Sequence, residues 1–305
     1  MLIVIRDADF SANNIGTISV PEDLNAFTKA ALAASNNNGL ASDKKQALNT
    51  FFKEMGAFGS QSNLWSKFDM VYLPFVVSGM EYSLMNYIDN TTVVTPSTLY
   101  FSKVNGGIKP IANIDSGSSD KALKISTSYV FDYRNKSAIF LATEDADPTV
   151  NSRFQGVVTQ WTSGSSFKRW GPQNSGASPN YNTILPVLYI DNSWSTIASD
   201  PSALYFNSGS DLAKGVRGIS CDGTTVYFMG ANGTVKSTPV KSGSESYVST
   251  DAGNLFFNSD DFRGYIADYT KFAAQGALIM GTYLTSSEMQ TVQTSLMKLY
   301  NAFFS

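Results

Sequence analysis

The densest cluster of carboxylates in the chain is formed by Glu144, Asp145 and Asp147, directly after the apolar run SAIFLA. Two carboxylates can hydrolyse a glycosidic bond when they flank it, and a strand places acids on one face at alternate positions, as in E-x-D-x-E. Glu144 and Asp145 are adjacent, however, and Pro148 ends the run. We therefore predict a solvated turn here, no catalytic residues and no hydrolase activity.

Several aspartates near turn signals could supply the oxygen ligands that calcium prefers: Asp191, Asp222, Asp260 and Asp261. Their spacing fits no fixed calcium loop, and aspartates that bond to their own turns explain each of them equally well. We predict no cofactor and no metal, and calcium stays open as the alternative. The chain has no histidine, which excludes His-dependent catalysis and His-ligated zinc. The single cysteine, Cys221, excludes an intrachain disulfide and is expected to be a small buried apolar residue.

The segment 160–182 is rich in Gly, Ser, Asn and Pro and has no periodicity, which predicts a long loop. Aromatic and amide residues are concentrated in and just after it: Trp161, Phe167, Trp170, Gln173, Asn174, Tyr181 and Trp194. Aromatic faces stacked on sugar rings would make this segment a glycan platform. The same residue types also anchor subunit contacts or fill a core, so those alternatives remain open. Our candidates for a glycan site or an interface are Trp161, Trp170, Tyr181 and Trp194.

Composition limits the classes of partner. The 305 residues are 43% hydrophobic and 13% aromatic, which is enough for a packed core, and only 15% are charged. A net charge of −3 gives no electrostatic case for nucleic acid or an anionic membrane. No apolar run reaches the length of a membrane span, and MLIVIRDADFSANNIG lacks the features of a signal peptide. We expect a soluble protein made in a cytoplasm.

The elements that must position these residues are mostly strands. About ten short apolar-aromatic runs follow residue 91, SALYFNS among them, and predict an antiparallel sandwich or barrel. Asn232-Gly233 lies between two such runs and predicts a tight hairpin whose central residues need positive φ. Earlier in the chain, NLWSKFDMVYLPFVV predicts a buried strand that ends at Pro74 or soon after.

Helical periodicity marks both ends of the chain. Two helices are predicted, after Pro21 and over residues 42–56 with Ser42 as a cap. Their expected buried residues are Leu24, Phe27, Ala31, Leu32, Leu48, Phe51, Phe52 and Met55. A third helix starts near Thr285, which forms a capping box with Glu288. Its apolar face should cover an edge or face of the sheets through Met289, Val292, Leu296 and Leu299, with Gln290, Gln293 and Lys298 pointing elsewhere.

The order of elements in residues 210–300 is informative. Paired strands in GVRGISCDGTTVYFMGANGTVKST precede a glycine-containing strand, RGYI at 263–266, and then LTSSE at 284–288. This order resembles the closing segment of concanavalin A-like lectin/glucanase domains of the LamG type, where a strand with a glycine precedes an L-S/T-x-x-E helix. The resemblance implies a mainly β, concanavalin A-like jelly-roll antiparallel sandwich, with N-terminal helices and a C-terminal capping helix.

The front half carries a second resemblance. The arm DADFS at residues 7–11, a short helix and the pattern WSKxxxxYLP at residues 65–74 resemble a variant of this fold in bacteriophage virion proteins, notably those of crAss-like phages of gut Bacteroidales. The resemblance implies a fibre, or a head or tail appendage, located in the virion. Its implied partners are copies of itself, for example in a trimer, other virion proteins and host surface polysaccharide.

These inferences divide the chain into three parts. Residues 1–20 are predicted to be an arm for attachment or assembly, residues 21–90 a helical pair with a lead-in strand, and residues 91–305 a LamG-like sandwich with its C-terminal helix. The predicted function is that of a structural virion protein that is not an enzyme and that contacts host surface glycans. The alternative is a non-catalytic carbohydrate-binding module of a bacterium, although the missing signal peptide and disulfides argue against secretion.

Overall fold

The protein is built from three layers, with a first β-sheet lying between a layer of helices and a second β-sheet. The structure, a computed structural model, describes residues 24–59, 62–92, 94–115, 118, 121–130, 132–145, 158–161, 167–177, 180–189, 197–207, 212–243, 252–258 and 266–304. Each face of the first sheet contacts a separate hydrophobic core.

The described strands, in chain order, are β1 (Phe68–Tyr72), β2 (Met85–Asn86), β3 (Thr91–Thr92), β4 (Phe101–Val104), β5 (Gly107–Pro110), β6 (Lys124–Val130), β7 (Lys136–Ala142), β8 (Val158–Trp161), β9 (Phe167–Ala177), β10 (Asn180–Tyr189), β11 (Gly215–Cys221), β12 (Thr225–Met229), β13 (Val235–Pro239), β14 (Ala252–Phe257) and β15 (Gln275–Gly281). The first sheet has the order β13-β12-β11-β7-β15-β1-β2-β3, and the β4–β5 hairpin is attached to β15. The second sheet has the order β10-β9-β8-β14-β6. The chain passes repeatedly from one sheet to the other, and the described pairings are antiparallel.

Strand β7 is buried on both faces because it lies in the middle of the first sheet. Alternate residues of a strand face opposite sides. Ala138 and Phe140 therefore contact the core between the sheets, whereas Ile139 and Leu141 contact the core beneath the helices. β15 follows the same rule. A strand with two buried faces needs a continuous apolar run, and this is what SAIFLA in β7 and GALIMG in β15 provide.

The two N-terminal helices are α1 (Ala26–Ala34) and α2 (Ser42–Met55). The predicted buried residues are confirmed except for Phe27, which is half-buried against the rings of Phe52 and Trp65 at centroid distances of 5.1 and 5.4 Å. Ser42 is the first residue of α2, and its predicted capping role is wrong because Ala41 occupies the N-cap position. Gly56 ends α2 with φ +83°, and a Cβ at Gly56 would lie 2.0 Å from the Ser62 carbonyl oxygen. Glycine is therefore required at this helix end.

The C-terminal helix α3 (Ser286–Phe304) covers the face of the first sheet that is turned away from the second sheet. The capping box is confirmed: the Thr285 backbone N–H donates to Glu288 Oε2 at 2.8 Å, and the Glu288 N–H donates to Thr285 Oγ1 at 3.2 Å. The predicted apolar residues Met289, Val292, Leu296 and Leu299 are all buried. The sequence therefore predicted both the start of α3 and the face that it buries.

One residue of α3 corrects the prediction from the sequence. Gln293 was expected to point away from the core, but it is buried. Its side-chain Nε2 donates to the carbonyl oxygens of Val216, Gly230 and Ala231 at 3.0, 3.1 and 3.0 Å. A glutamine can be buried where its amide is hydrogen-bonded. Helical spacing alone does not reveal those carbonyls.

The Asn232-Gly233 hairpin is confirmed, because β12 and β13 pair through it. Gly233 has φ +82°, whereas Asn232 is not among the described residues with positive φ, so the prediction for both central residues was wrong in part. The Gly233 N–H donates to the Gly230 carbonyl, and the Asn232 Oδ1 accepts from the Thr234 N–H at 2.9 Å. These bonds define a three-residue loop, the next most common hairpin type.

Three further predictions about elements need correction. The predicted long loop at 160–182 contains the last two residues of β8, all of β9 and the start of β10, and eight register pairs join β9 to β10. SALYFNS, residues 202–208, overlaps the 3₁₀ turn Pro201–Leu204, and its described residues form none of the named strands. The strand directly before α3 is β15; residues 263–265 of the predicted RGYI strand lie outside the described residues, and Ile266 forms an isolated bridge with Ile114.

The predicted class, a mainly β antiparallel sandwich of the jelly-roll type with N-terminal helices and a C-terminal capping helix, is confirmed. The predicted strand before Pro74 is β1, which ends at Tyr72 and pairs with β15 within the first sheet. Arm residues 1–20 lie outside the described residues, and the three-part division of the chain remains a prediction. None of the described helices combines the length and the hydrophobicity that crossing a bilayer requires.

Candidate functional site

The candidate site is the outer face of the second sheet, meaning the face turned away from the first sheet. Buried residues fix which positions belong to it. Leu255 and Phe257 of β14 and Trp170 of β9 contact the core between the sheets. Because strand positions alternate, their immediate neighbours along the strands occupy positions on the outer face.

The strand register brings positions occupied by aromatic and polar residues together on this outer face. Trp161 of β8 is paired with Phe167 of β9 on one side and with Asn254 of β14 on the other. Arg169, two residues after Phe167, is paired with Thr159 of β8. Residues directly opposite one another across two strands are separated by about 5 Å between their Cβ atoms. The register thus places two aromatic residues, an arginine and an asparagine on neighbouring positions of one face.

The outer face meets solvent at the β6 end of the sheet, whereas Phe256 of β14, which shares this face with Asn254, is buried. Ile125 and Tyr129 of β6 are buried in the core between the sheets. On the opposite side of the same strand, Val130 is 41% exposed and Ser128 is exposed. A strand that is buried on one face and exposed on the other is typical of an antiparallel sheet that borders water.

The four sequence candidates do not share one environment. Trp170 is 1% exposed and packs in the core between the sheets, so its ring is not available to a ligand on the surface. Trp161 lies at the outer-face position described above. Tyr181 belongs to β10, but its side chain lies outside the described residues, and so does the whole of Trp194.

Arg169 and Asn254 were missed at the sequence level as members of this group. Asn254 is almost 100 residues from Trp161 in the sequence, and no local pattern connects strands β14 and β8. Arg169 had a usable signal, because in FKRW the residues at 167 and 169 share one face of a strand. Assigning residues 160–182 to a loop concealed that alternation.

The carboxylates after β7 are occupied by structural contacts. Glu144 Oε2 accepts from the Ala274 N–H at 3.0 Å and forms an ion pair with Lys109 at 2.9 Å. Asp145 Oδ1 accepts from the Lys214 N–H at 2.7 Å. Each carboxylate therefore ties the bend after β7 to another segment. Asp147 lies outside the described residues.

Asp222 behaves as a turn-forming residue. Its Oδ1 accepts from the N–H groups of Thr224 and Thr225, both at 2.8 Å, and from the Thr224 hydroxyl at 2.8 Å. Burial raises the pKa of Asp222, but these hydrogen bonds outweigh burial and hold that pKa below its usual value. Asp191, Asp260 and Asp261 lie outside the described residues, and the described part of the chain contains no cluster of three or more metal-ligating His, Cys, Asp or Glu residues.

Cys221 is fully buried at the end of β11, in the core between the sheets, as the sequence predicted. Burial raises the pKa of its thiol to about 12. A thiol with so high a pKa has almost no reactive thiolate at neutral pH. Cys221 is therefore a packing residue.

Neither a family model nor a curated protein sequence matches this chain. Among solved structures, the chain is similar to the CBM40 of Ruminococcus gnavus IT-sialidase bound to alpha2,6 sialyllactose, with 12% identity, a TM-score of 0.35 and coverage of 56% of this chain and 96% of that one. It is also similar to lactose- and MES-liganded congerin II, with 12% identity, a TM-score of 0.28 and coverage of 50% and 96%. These TM-scores carry no argument about what this chain binds, and the assignment of the fold rests on its own strand pairing.

Proposed function

We propose that this chain is a non-catalytic, lectin-like subunit of a bacteriophage fibre or of a head or tail appendage, and that the outer face of its second sheet binds host surface glycans. The observation that carries the glycan-binding proposal is the register that groups Trp161, Phe167, Arg169 and Asn254 on that face. The particle assignment is supported by the resemblance of the arm and of the first strand to phage virion proteins.

The chemistry of the outer face suits a sugar. A pyranose ring has apolar C–H faces that pack on aromatic rings, and its hydroxyls need donors and acceptors at the edge. Arginine supplies donors and asparagine supplies both donor and acceptor atoms. A binding site that combines apolar surface with a few placed polar groups is the usual arrangement for small ligands.

The absence of catalysis and of a cofactor is part of the proposal. Its support is that Glu144 and Asp145 are already engaged with the backbone of Ala274 and Lys214, which leaves them as structural ties. We expect no hydrolysis of any glycan that binds, and no loss of binding when calcium is removed with EDTA. Product formation that is abolished in the Glu144→Gln variant would contradict the non-catalytic assignment.

The glycan-binding proposal is tested with the purified full chain on a glycan array, followed by titration of the best ligand. We expect Trp161→Ala and Phe167→Ala each to weaken binding about tenfold or more, since an aromatic contact worth about 1.4 kcal/mol corresponds to that factor. Tyr269→Ala is the matched control, because Tyr269 is an exposed aromatic residue outside the strands. Equal affinities for all three variants would exclude the outer face as the glycan-binding site.

The particle assignment is tested separately by sedimentation with host cells that carry or lack their surface polysaccharide. Polysaccharide-dependent binding to the cells by an oligomeric protein supports an appendage that recognises a host receptor. Binding by a monomer supports the alternative, a free carbohydrate-binding module of a bacterium. We further expect deletion of residues 1–20 to leave a folded sandwich that no longer assembles, and an unfolded product would assign the arm to the core instead.

A further inference from the structure

A cleft of about 280 Å³ opens in the helical layer, where the C-terminal end of α3 meets the β4–β5 hairpin. Its walls are largely apolar and include Leu40, Phe75, Val77, Phe303 and Phe304. Phe304 remains 46% exposed although it contacts the rings of Phe75 and Tyr300. Its volume is just below the roughly 300–1,000 Å³ range of ligand pockets, so the cleft has room for a short peptide segment rather than for a large ligand.

Two lysines border this apolar surface. Lys103 Nζ donates to the carbonyl oxygens of Pro74, at 2.6 Å, and of Val77. Lys44 Nζ donates to the Phe303 carbonyl at 3.3 Å and lies over the Phe303 ring at 5.3 Å from its centroid. Burial removes part of the hydration of the Lys103 ammonium and lowers its pKa to about 8.

Neither ammonium is neutralised within the described part of the chain. None of the described residues lining the cleft is acidic. The ion pairs among the described residues use other lysines and arginines, namely Lys67, Lys109, Arg134, Lys136, Lys271 and Lys298. A partly desolvated cation is stabilised most by a carboxylate. The cleft therefore fits a short segment that combines acidic and aromatic residues.

We propose that residues 7–10 of the same chain, with the sequence DADF, dock in this cleft, with the carboxylates of Asp7 and Asp9 on Lys44 and Lys103 and Phe10 against the apolar wall. The inference goes beyond the proposed function, and it leaves the apolar residues 2–5 of the arm free for assembly. It concerns the helical layer only and does not depend on glycan binding.

Chain length and the point where the arm leaves the described structure support this occupant. Leu24 and Phe75 belong to the same core beneath the helices, so the arm departs from the layer that contains the cleft. Asp9 lies 15 residues before Leu24, which allows a reach of about 50 Å. Tethering also gives a segment an effective concentration in about the millimolar range, which favours docking within one chain over docking between chains.

Another acidic-aromatic segment, DDF at residues 260–262, is excluded by its connections. It lies between Asn258, which follows β14 in the second sheet, and Ile266, which is bridged to Ile114. The seven residues between the described positions 258 and 266 span at most about 25 Å. Reaching the helical layer and returning would require crossing two sheets spaced about 10 Å apart as well as the helices.

Disulfide trapping in the full chain tests the proposal. Ser78 is an exposed residue of the cleft, and Ala8 lies in the centre of the docking segment, so the variant Ala8→Cys/Ser78→Cys should form a disulfide within one chain. The matched control is Ala8→Cys/Ser128→Cys, because Ser128 is exposed on the second sheet. Buried Cys221 does not compete, since its thiol is fully covered.

We expect the cleft pair to oxidise about tenfold faster than the control pair, at a rate independent of protein concentration, with about 1.4 kcal/mol of docking free energy giving this factor. Adding Asp7→Asn/Asp9→Asn should remove that advantage without altering the folded body. Rates equal to the control, or unchanged by the asparagine substitutions, would overturn the proposal. A concentration-dependent disulfide between chains would overturn docking within the chain.

Discussion

The two sheets of this protein differ in how many of their faces are buried. The first sheet packs against helices on one side and against the second sheet on the other. Alternate residues of β7 and β15 therefore face two hydrophobic cores on opposite sides of the sheet. The second sheet has one face in a core, and at β6 its other face is exposed. Packing restricts every residue of the first sheet's central strands. On the outer face of the second sheet, positions of β6 are exposed, although Phe256 of β14 is buried.

The strongest test of this difference uses neighbouring residues of β15. Leu278 faces the core between the sheets and Ile279 faces the core beneath the helices, and both are essentially buried. We expect Leu278→Ala and Ile279→Ala each to lower the free energy of unfolding by about 2–5 kcal/mol, because each deletes buried methyl groups and leaves a cavity. Urea unfolding measures both. A cost below 1 kcal/mol for Ile279→Ala alone would mean that the helical layer is not integral to the fold.

A smaller loss of stability is expected where Gln293 of α3 donates hydrogen bonds to the loop of the β12–β13 hairpin. Gln293→Ala removes the donor that serves three carbonyls, two of them on the hairpin loop. The Gly230 carbonyl keeps its bond from the Gly233 N–H, but losing the amide from the buried carbonyls should still cost about 1–3 kcal/mol, which urea unfolding should detect. The control is Gln290→Ala, whose residue makes one exposed bond to the Gly233 carbonyl at 2.9 Å and should cost less than about 0.5 kcal/mol. Equal losses of unfolding free energy in the two variants would mean that the buried hydrogen bonds of Gln293 contribute no more than the exposed bond of Gln290.

The contact between α3 and the segment before β1 should depend on pH. Burial raises the pKa of Glu288, but hydrogen bonds from Lys67, at 2.5 Å, and from Thr285 outweigh burial and hold that pKa below its usual value. A carboxyl whose pKa is lower when folded stabilises the protein above its unfolded pKa, about 4.3, and this stabilisation is lost as the pH falls further through the folded pKa.

We therefore expect the free energy of unfolding to decrease as the pH falls below about 5, and Glu288→Gln to reduce this slope. Urea titrations between pH 7 and pH 3 measure it. The exposed residue Glu81 provides the control, and Glu81→Gln should keep the parent slope. A slope that is unaffected by Glu288→Gln would assign the acid sensitivity to other groups.

The smallest effect on stability is expected on the outer face of the second sheet. Val130 is 41% exposed there, so Val130→Ser should change the free energy of unfolding by no more than about 0.5 kcal/mol. Thermal or urea unfolding of this variant beside Ile279→Ala compares the two sheets directly. A loss of more than 1 kcal/mol would show that the outer face is covered, and the candidate site would then have to be sought elsewhere.

Prediction from the sequence succeeded where local chemistry dominates. The capping box at Thr285 and Glu288, the glycine end of α2 and the Asn232-Gly233 hairpin each depend on residues within a few positions of one another. The apolar run SAIFLA likewise forms a strand, β7. These signals survive in the folded chain because tertiary contacts reinforce them.

Prediction failed where pairing between distant strands decides the structure. Strand β9 contains Gly171, Pro172 and Gly176, which locally favour a loop, yet β9 pairs with β10 over eight register positions and with β8 on its other side. β-propensity depends strongly on such neighbours. This error also hid the candidate site, because Arg169 and Asn254 lie near Trp161 only through the pairing of β8 with β9 and with β14.

The sequence by itself determined the helical segments, the capping box of α3, the glycine end of α2, the class of fold and the exclusion of histidine-dependent chemistry, because each of these depends on residue type or on spacing within one element. The tertiary structure decided that Trp170 is in the core while Trp161 lies at an outer-face position of its strand, that Gln293 is buried, and that Lys44 and Lys103 border one cleft. Those relations join residues from different elements, and only the packing of sheets and helices brings such residues together.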